Sequence, residues 1–111
     1  MGIQTVPARH GHAGVVYVEP WYAMVARSAE PRPVVTALER SRESSAEFLG
    51  RVAHEATDCD RLIEMGPGDE RLAFEREYVT IYQRPDRLVD DEPAAGATRF
   101  DLLDRLRMLE S

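Results

Sequence analysis

The hydrophobic period of the chain changes between residues 40 and 45, and this change constrains the fold more than any other feature. Before it, short β-branched and aromatic runs are typical of strands, and their close spacing predicts an antiparallel meander. After it, helical spacing alternates with short strand patterns, which indicates parallel pairing through right-handed crossovers. The predicted strands span residues 14–18, 21–28, 34–39, 61–65 and 87–91.

Polar capping residues mark where the predicted helices begin. They are Ser44 with Glu47, Asp69, and Thr98 with Asp101, for helices over residues 45–58, 69–83 and from 98 onward. The resulting order is β-β-β-α-β-α-β-α. It predicts an α/β fold, a three-layer ribonuclease-H-like mixed sheet of five strands in the order 3-2-1-4-5 with three helices.

The length of 111 residues predicts one domain, over residues 12–111, after an N-terminal tail of residues 1–11 without apolar periodicity. The net charge is −6, and all 14 basic residues are arginine. A net acidic chain is a poor candidate for tight, non-specific duplex binding, which requires many phosphates to be neutralised. A local group of arginines can still bind phosphate in two-pronged fashion.

The sequence also indicates the cellular compartment of the protein. The longest uncharged apolar run is far too short for a bilayer, and no charged-then-apolar leader opens the chain. The single cysteine, Cys59, excludes an intramolecular disulfide and fits a reducing compartment. We therefore expect a cytoplasmic protein with no membrane partner.

One segment resembles a known family. Residues 61–68, Arg-Leu-Ile-Glu-Met-Gly-Pro-Gly, and the helix after them resemble the middle domain of the eukaryotic and archaeal class-1 peptide-chain release factors and of Pelota. Arg71 and Phe74 occupy the family's basic and phenylalanine positions in that helix. The resemblance extends over about residues 12–110 and to small standalone bacterial proteins of this translational type. It implies the same fold and an association with translation.

The chain departs from that family at the release loop. Release factors carry Gly-Gly-Gln in a long loop between the third strand and the first helix, whereas residues 40–44 form this connection here. The only glutamines are Gln4 and Gln83, and neither lies in that connection. The flanking domains of the family are also absent from this sequence. We therefore expect a non-catalytic binding module without a cofactor, associated with the ribosome or another RNA-protein partner.

Arginines are the predicted contacts to such a partner, because each can form paired hydrogen bonds to phosphate. The candidates are Arg84, Arg87, Arg105 and Arg107, with Arg40 and Arg42 at the position of the shortened loop as a second set. Nearby acids offer these arginines local ion pairs instead. Gly66, Pro67 and Gly68 are predicted to form a structural strand-to-helix turn.

Two other classes of function stay open. Metal-dependent nucleases of the same fold class hold two magnesium ions with carboxylates, for which Glu19, Glu47 or Glu55, and Glu64 are the candidates. A homo-oligomeric interaction domain is the other alternative. His10, His12 and His54 lack the spacing of a metal-ligand set, so we assign no metal ligand and no catalytic residue.

Overall fold

The structure, a computed structural model, describes residues 12–110, so the predicted tail at residues 1–11 lies outside the described residues. Five strands and three α-helices alternate in the predicted order. The strands are β1 (Ala13–Val18), β2 (Tyr22–Arg27), β3 (Val34–Glu39), β4 (Arg61–Gly66) and β5 (Leu88–Pro93). The helices are α1 (Ser45–Glu55), α2 (Gly68–Tyr82) and α3 (Arg99–Glu110), with a 3₁₀ turn at Pro85–Arg87.

The strands form one mixed sheet in the order β3-β2-β1-β4-β5, which confirms the predicted fold. β1 pairs antiparallel with β2 and parallel with β4, while β2–β3 is antiparallel and β4–β5 is parallel. All six residues of β1 are buried. A strand covered on both faces has no polar side, which explains its continuous apolar run.

Helices cover both faces of the sheet and create two apolar cores. Side chains of α1 and α2, including Phe48 and Phe74, pack with Val16 and Leu62 on one face. Leu102 and Leu106 of α3 form the second core on the other face. Within residues 12–110, no helix is both long enough and apolar enough to span a membrane.

Two of the three predicted helix caps are confirmed. The Ser44 hydroxyl accepts a hydrogen bond from the backbone N–H of Glu47 at 3.1 Å, and the Glu47 carboxylate accepts one from the N–H of Ser44 at 2.8 Å. The carboxylate of Asp101 accepts a hydrogen bond from the N–H of Thr98 at 2.7 Å, and the Thr98 hydroxyl accepts one from the N–H of Asp101 at 3.2 Å.

The predicted cap at Asp69 is wrong. Helix α2 begins at Gly68, its N-cap is Pro67, and no side chain among residues 12–110 caps it. The turn before the helix already directs the backbone into it, and proline carries no N–H that would need a partner. Asp69 lies in the first turn instead. There its charge interacts favourably with the helix dipole.

Gly14, in the buried strand β1, is required by close packing rather than by backbone conformation. A Cβ atom at this position would lie 2.6 Å from the sulfur of Cys59 and 2.8 Å from a methyl carbon of Leu62. We expect Gly14→Ala to lower the free energy of unfolding by about 1–3 kcal/mol through overpacking, measured by chemical denaturation. Gly96→Ala is the matched control, because nothing lies within 4 Å of its added Cβ. Equal stability of the two variants would contradict this packing.

Candidate functional site

The carboxyl ends of four strands lie at one edge of the sheet. β1, β4 and β5 are parallel, and β3 runs in the same direction because both β1 and β3 are antiparallel to β2. We call this the carboxyl edge; the connections after β1, β3 and β4 lie there. In open α/β sheets, ligands bind beyond this edge, so these connections are the first place to look for a site.

Trp21 and Arg40 stack on each other at the carboxyl edge. Trp21 is 60% exposed and lies in the turn between β1 and β2. The Arg40 guanidinium carbon lies 4.3 Å from the centre of the indole ring. The N–H of Arg40 donates to the carbonyl of Trp21 at 3.0 Å, which fixes the two residues side by side. An exposed aromatic ring with an arginine on it is a surface on which an unpaired nucleic-acid base can stack.

The loop of residues 40–44 carries a second arginine, Arg42, and hydrogen bonds from Arg51 fix its conformation. Arg51 of α1 donates to the Glu43 carboxylate at 2.8 and 2.9 Å and to the carbonyl of Glu39 at 2.7 Å. Arg42 is exposed on this loop and makes no ion pair within residues 12–110. We call Trp21, Arg40 and Arg42 the arginine–tryptophan surface.

The first predicted set of arginines does not form one surface. Arg84 and Arg87 lie before β5, at the opposite edge of the sheet, whereas Arg105 and Arg107 lie on α3. Three of the four have acidic partners. These ion pairs are Arg84 with Asp86 at 2.8 Å, Arg105 with Glu92 at 2.9 Å, and Arg107 with Asp104. The expected local pairing is therefore what the structure shows for these three. Arg87 is half-buried, and its Nε has no hydrogen-bond partner in the part of the chain that the structure describes.

The Gly66-Pro67-Gly68 segment connects β4 to helix α2. Gly66 has a φ of +135°, which L side chains rarely adopt, and its carbonyl accepts hydrogen bonds from Arg71 Nε at 2.8 Å and from Ala94 N–H at 3.1 Å. Arg71 also forms an ion pair with Asp91. Arg71 and Phe74, the two helix residues in the family resemblance, both stabilise this part of the fold. Arg71 links the turn to β5, and Phe74 is fully buried.

A second polar feature is a cluster of three carboxylates. Glu64 on β4, Glu75 on α2 and Asp91 on β5 each place one oxygen within 4.8 Å of the others. Glu64 is 1% exposed. Burial chiefly, and then the neighbouring Glu75 carboxylate, raise the pKa of Glu64 to about 8, while Arg71 opposes this rise. We call Glu64, Glu75 and Asp91 the carboxylate cluster.

The carboxylates predicted for a nuclease are not brought together. In the described part of the chain, the group of three potential metal ligands contains Glu64 but not Glu19, Glu47 or Glu55. Glu19 accepts a hydrogen bond from the Tyr17 hydroxyl, and Glu47 completes the cap of α1. The nuclease alternative therefore gains no support from these residues, because Glu19, Glu47 and Glu55 lie at the ends of elements, away from the middle of β4.

The three histidines, which were not assigned as metal ligands from the sequence, are not brought together within the described residues. His12 and His54 are exposed, and neither belongs to a group of three potential ligands. His10 lies outside the described residues.

Sequence reasoning missed two features of the site. It placed Trp21 at the start of the second strand, residues 21–28, whereas β2 begins at Tyr22 and Trp21 lies in the turn that Pro20 indicates. It also missed Glu75 and Asp91 as neighbours of Glu64. The two strand residues are directly paired in the parallel ladder, which only the register of β4 and β5 reveals.

Comparison with known proteins relates the fold to translation factors. The sequence matches no family model and no curated protein. Among solved structures, Archaeoglobus fulgidus Pelota is 18% identical, with a TM-score of 0.67 over 88% of this chain and 31% of its own. The archaeal translation termination factor aRF1 is 20% identical, with a TM-score of 0.60 over 91% of this chain and 34% of its own.

A third similar structure is S. cerevisiae Dom34, a translation termination-like factor that interacts with Hbs1. It is 9% identical, with a TM-score of 0.59 over 84% of this chain and 31% of its own. The fold predicted from the resemblance is confirmed. The chain spans about one third of the length of each of these proteins. At these identities the likeness establishes a shared fold.

Proposed function

We propose that this chain is a non-catalytic, translation-associated binding module that contacts ribosomal RNA through the arginine–tryptophan surface. The observation that carries the proposal is the loop of residues 40–44. By the resemblance, it stands where release factors carry their release loop, and here it presents Arg40 beside an exposed indole. The shared fold with Pelota and aRF1 supports the association with translation.

The charge distribution favours RNA binding through a small contact surface over long-range electrostatic attraction of the whole chain to RNA. A net charge of −6 repels phosphate at long range, so affinity has to come from a few close contacts. Arg42 has no acidic partner to give up within the described residues, and Arg40 is held by backbone carbonyls and the indole rather than by a carboxylate. Both are therefore available to phosphate, while Trp21 supplies a stacking face.

The experiment that tests this proposal is sedimentation with purified ribosomes at low salt. We expect the wild-type protein to move with the ribosomes, and the double variant Arg40→Glu/Arg42→Glu to bind more weakly, so that a larger share of it stays at the top of the gradient. Arg32→Glu/Arg76→Glu is the control, since it changes the charge equally at exposed positions away from this surface. If the wild-type protein also stays at the top, the ribosomal proposal is wrong and a protein partner should be sought instead.

The arginines of the first predicted set are proposed as secondary contacts. They are Arg84, Arg87, Arg105 and Arg107. Binding of phosphate by three of them has to displace an acidic partner. We therefore expect charge reversal at Arg84 and Arg87 to weaken ribosome binding less than charge reversal at Arg40 and Arg42.

The proposed module has no peptidyl-tRNA hydrolase activity. Gln83, the only glutamine among the described residues, is the C-cap of α2 and lies away from the loop of residues 40–44. Without a glutamine on that loop, no such side chain aligns water beside the ester, and this alignment accounts for much of the rate of such reactions. Release of labelled peptide from ribosomes should therefore stay at the background rate. Release above background would contradict the non-catalytic assignment.

A further inference from the structure

Glu64 is buried without a hydrogen-bond donor among residues 12–110, which is unusual for a carboxylate. It is 1% exposed, and its polar contact is with the carboxylate of Glu75, to which it can hydrogen-bond only when one of the two groups is protonated. On the same face of the sheet, Leu62 packs in the apolar core. Burying a charged group costs far more than burying a leucine, unless another charge compensates for it. Glu64 can therefore be buried in two forms: as a neutral carboxyl, which its raised pKa favours, or as a carboxylate beside a bound cation.

Glu64 and its acidic neighbours line a cavity instead of packing tightly against one another. Glu75 approaches from α2 and Asp91 from β5, and one oxygen of each lies within 4.8 Å of one oxygen of Glu64. These three residues line a cavity of about 300 Å³ that opens to solvent, with Leu88 and Val89 as its apolar wall. Three elements thus direct oxygen atoms at one accessible point.

The charge of the cluster matches a divalent cation. When ionised, the three carboxylates carry three negative charges, and the Arg71 guanidinium paired with Asp91 offsets one of them. Two negative charges then remain for the ion. Arg71 binds one oxygen of Asp91, Oδ1, which leaves the other oxygen free to act as a ligand. Sites made only of oxygen ligands select hard cations such as Mg²⁺, Mn²⁺ and Ca²⁺.

We propose that Glu64, Glu75 and Asp91 form a binding site for a hard divalent cation of the Mg²⁺ or Mn²⁺ type. This site is independent of the arginine–tryptophan surface. We assigned no metal ligand from the sequence, because the carboxylates lie on three separate elements and only their positions in the fold bring them together. The ion neutralises the buried Glu64 and joins β4, β5 and α2. Its role is structural, because Glu64 is buried among these elements.

Mn²⁺ is the probe for this site, because its electron paramagnetic resonance signal falls when the ion is bound. We expect the wild-type protein to bind one Mn²⁺, and Mg²⁺ to compete for it. Glu75→Gln and Glu64→Gln should each weaken binding by at least about tenfold. Glu77→Gln on the same helix, which removes an equal charge outside the cluster, should leave the affinity unchanged.

A second measurement separates loss of a ligand from loss of the fold. Thermal unfolding is compared in Mn²⁺ and in chelator. The wild type and Glu77→Gln should each have a higher midpoint temperature in Mn²⁺, since an ion that binds only the folded state stabilises it. The half-exposed position of Glu75 makes Glu75→Gln a variant that we expect to fold. Absence of Mn²⁺ binding, or binding that both Glu64→Gln and Glu75→Gln retain at full affinity, would overturn the proposal.

Discussion

Replacing Gly66 with alanine is expected to destabilise the protein more than any other single change described here. Its φ of +135° is strained for any residue with a side chain, and the added Cβ would lie against the backbone carbonyl oxygen of Val18, far inside van der Waals contact. Strain and overpacking together should lower the free energy of unfolding by at least about 3 kcal/mol. That is a large fraction of the roughly 5–15 kcal/mol typical of a domain.

Gly68→Ala is the matched control, two positions along the same turn. Its Cβ would lie 3.6 Å from Arg71 Nη2, which is an ordinary contact, and the position opens helix α2, where alanine is favourable. Urea denaturation of both variants measures the difference. If Gly68→Ala lost as much stability as Gly66→Ala, the turn would depend on glycine at both positions and this account of the Gly-Pro-Gly segment would be wrong.

The second large effect is the protection of Cys59 from thiol reagents. The side chain is fully buried against Gly14, and burial is the main reason why the pKa of its thiol is raised from 9.0 to about 11. At pH 8 the folded protein therefore has almost no reactive thiolate at this position. Alkylation should proceed only through unfolded molecules, which are on the order of 10⁻³ or less of the total.

An exposed cysteine in the same molecule calibrates this experiment. Ser41→Cys places a second thiol on the exposed loop of residues 40–44. We expect one fast and one slow reacting thiol, with rates that differ by about three orders of magnitude. A single fast phase with two thiols modified would contradict the burial of Cys59.

The sign of the pH effect on stability follows from the same shift. The pKa of Cys59 is higher in the folded protein, so its contribution to stability is complete below pH 9 and is lost as the pH rises through 11. Cys59→Ala should reduce the pH dependence of stability between pH 9 and 11, measured by chemical denaturation, while buried Tyr17, whose pKa is also raised by burial, keeps its own share.

The order of the sheet was predictable because each local signal agreed with the others. The uniformly apolar β1 indicates a strand covered on both faces, and the two paired caps at Ser44 and Thr98 fix where α1 and α3 begin. Alternation of strand and helix after residue 44 then leaves few topologies. A fold can be predicted from sequence in this way when residue propensity, capping residues and hydrophobic period all indicate the same structure.

The features that sequence reasoning missed depend on the register between strands and on which of two competing sequence signals sets the start of a helix. Asp69 has a good capping side chain, but the turn of Gly66 and Pro67 starts the helix earlier. The partners of Glu64 follow from the pairing of β4 with β5, and an irregularity between Leu62 and Ile63 shifts that register. A one-residue shift moves every side chain to the opposite face, so spacing alone does not place Asp91 beside Glu64.

The salt dependence of ribosome binding tests the central claim most directly, because counterion release counts the phosphates that the protein contacts. We predict that the binding constant of the wild-type protein falls as salt rises, with the moderate slope expected of a few phosphate contacts. In Arg40→Glu/Arg42→Glu the slope of the logarithm of the binding constant against the logarithm of salt should be shallower by about two. The Arg32→Glu/Arg76→Glu control should keep the wild-type slope. Binding that does not depend on salt, or an unchanged slope in Arg40→Glu/Arg42→Glu, would contradict the account.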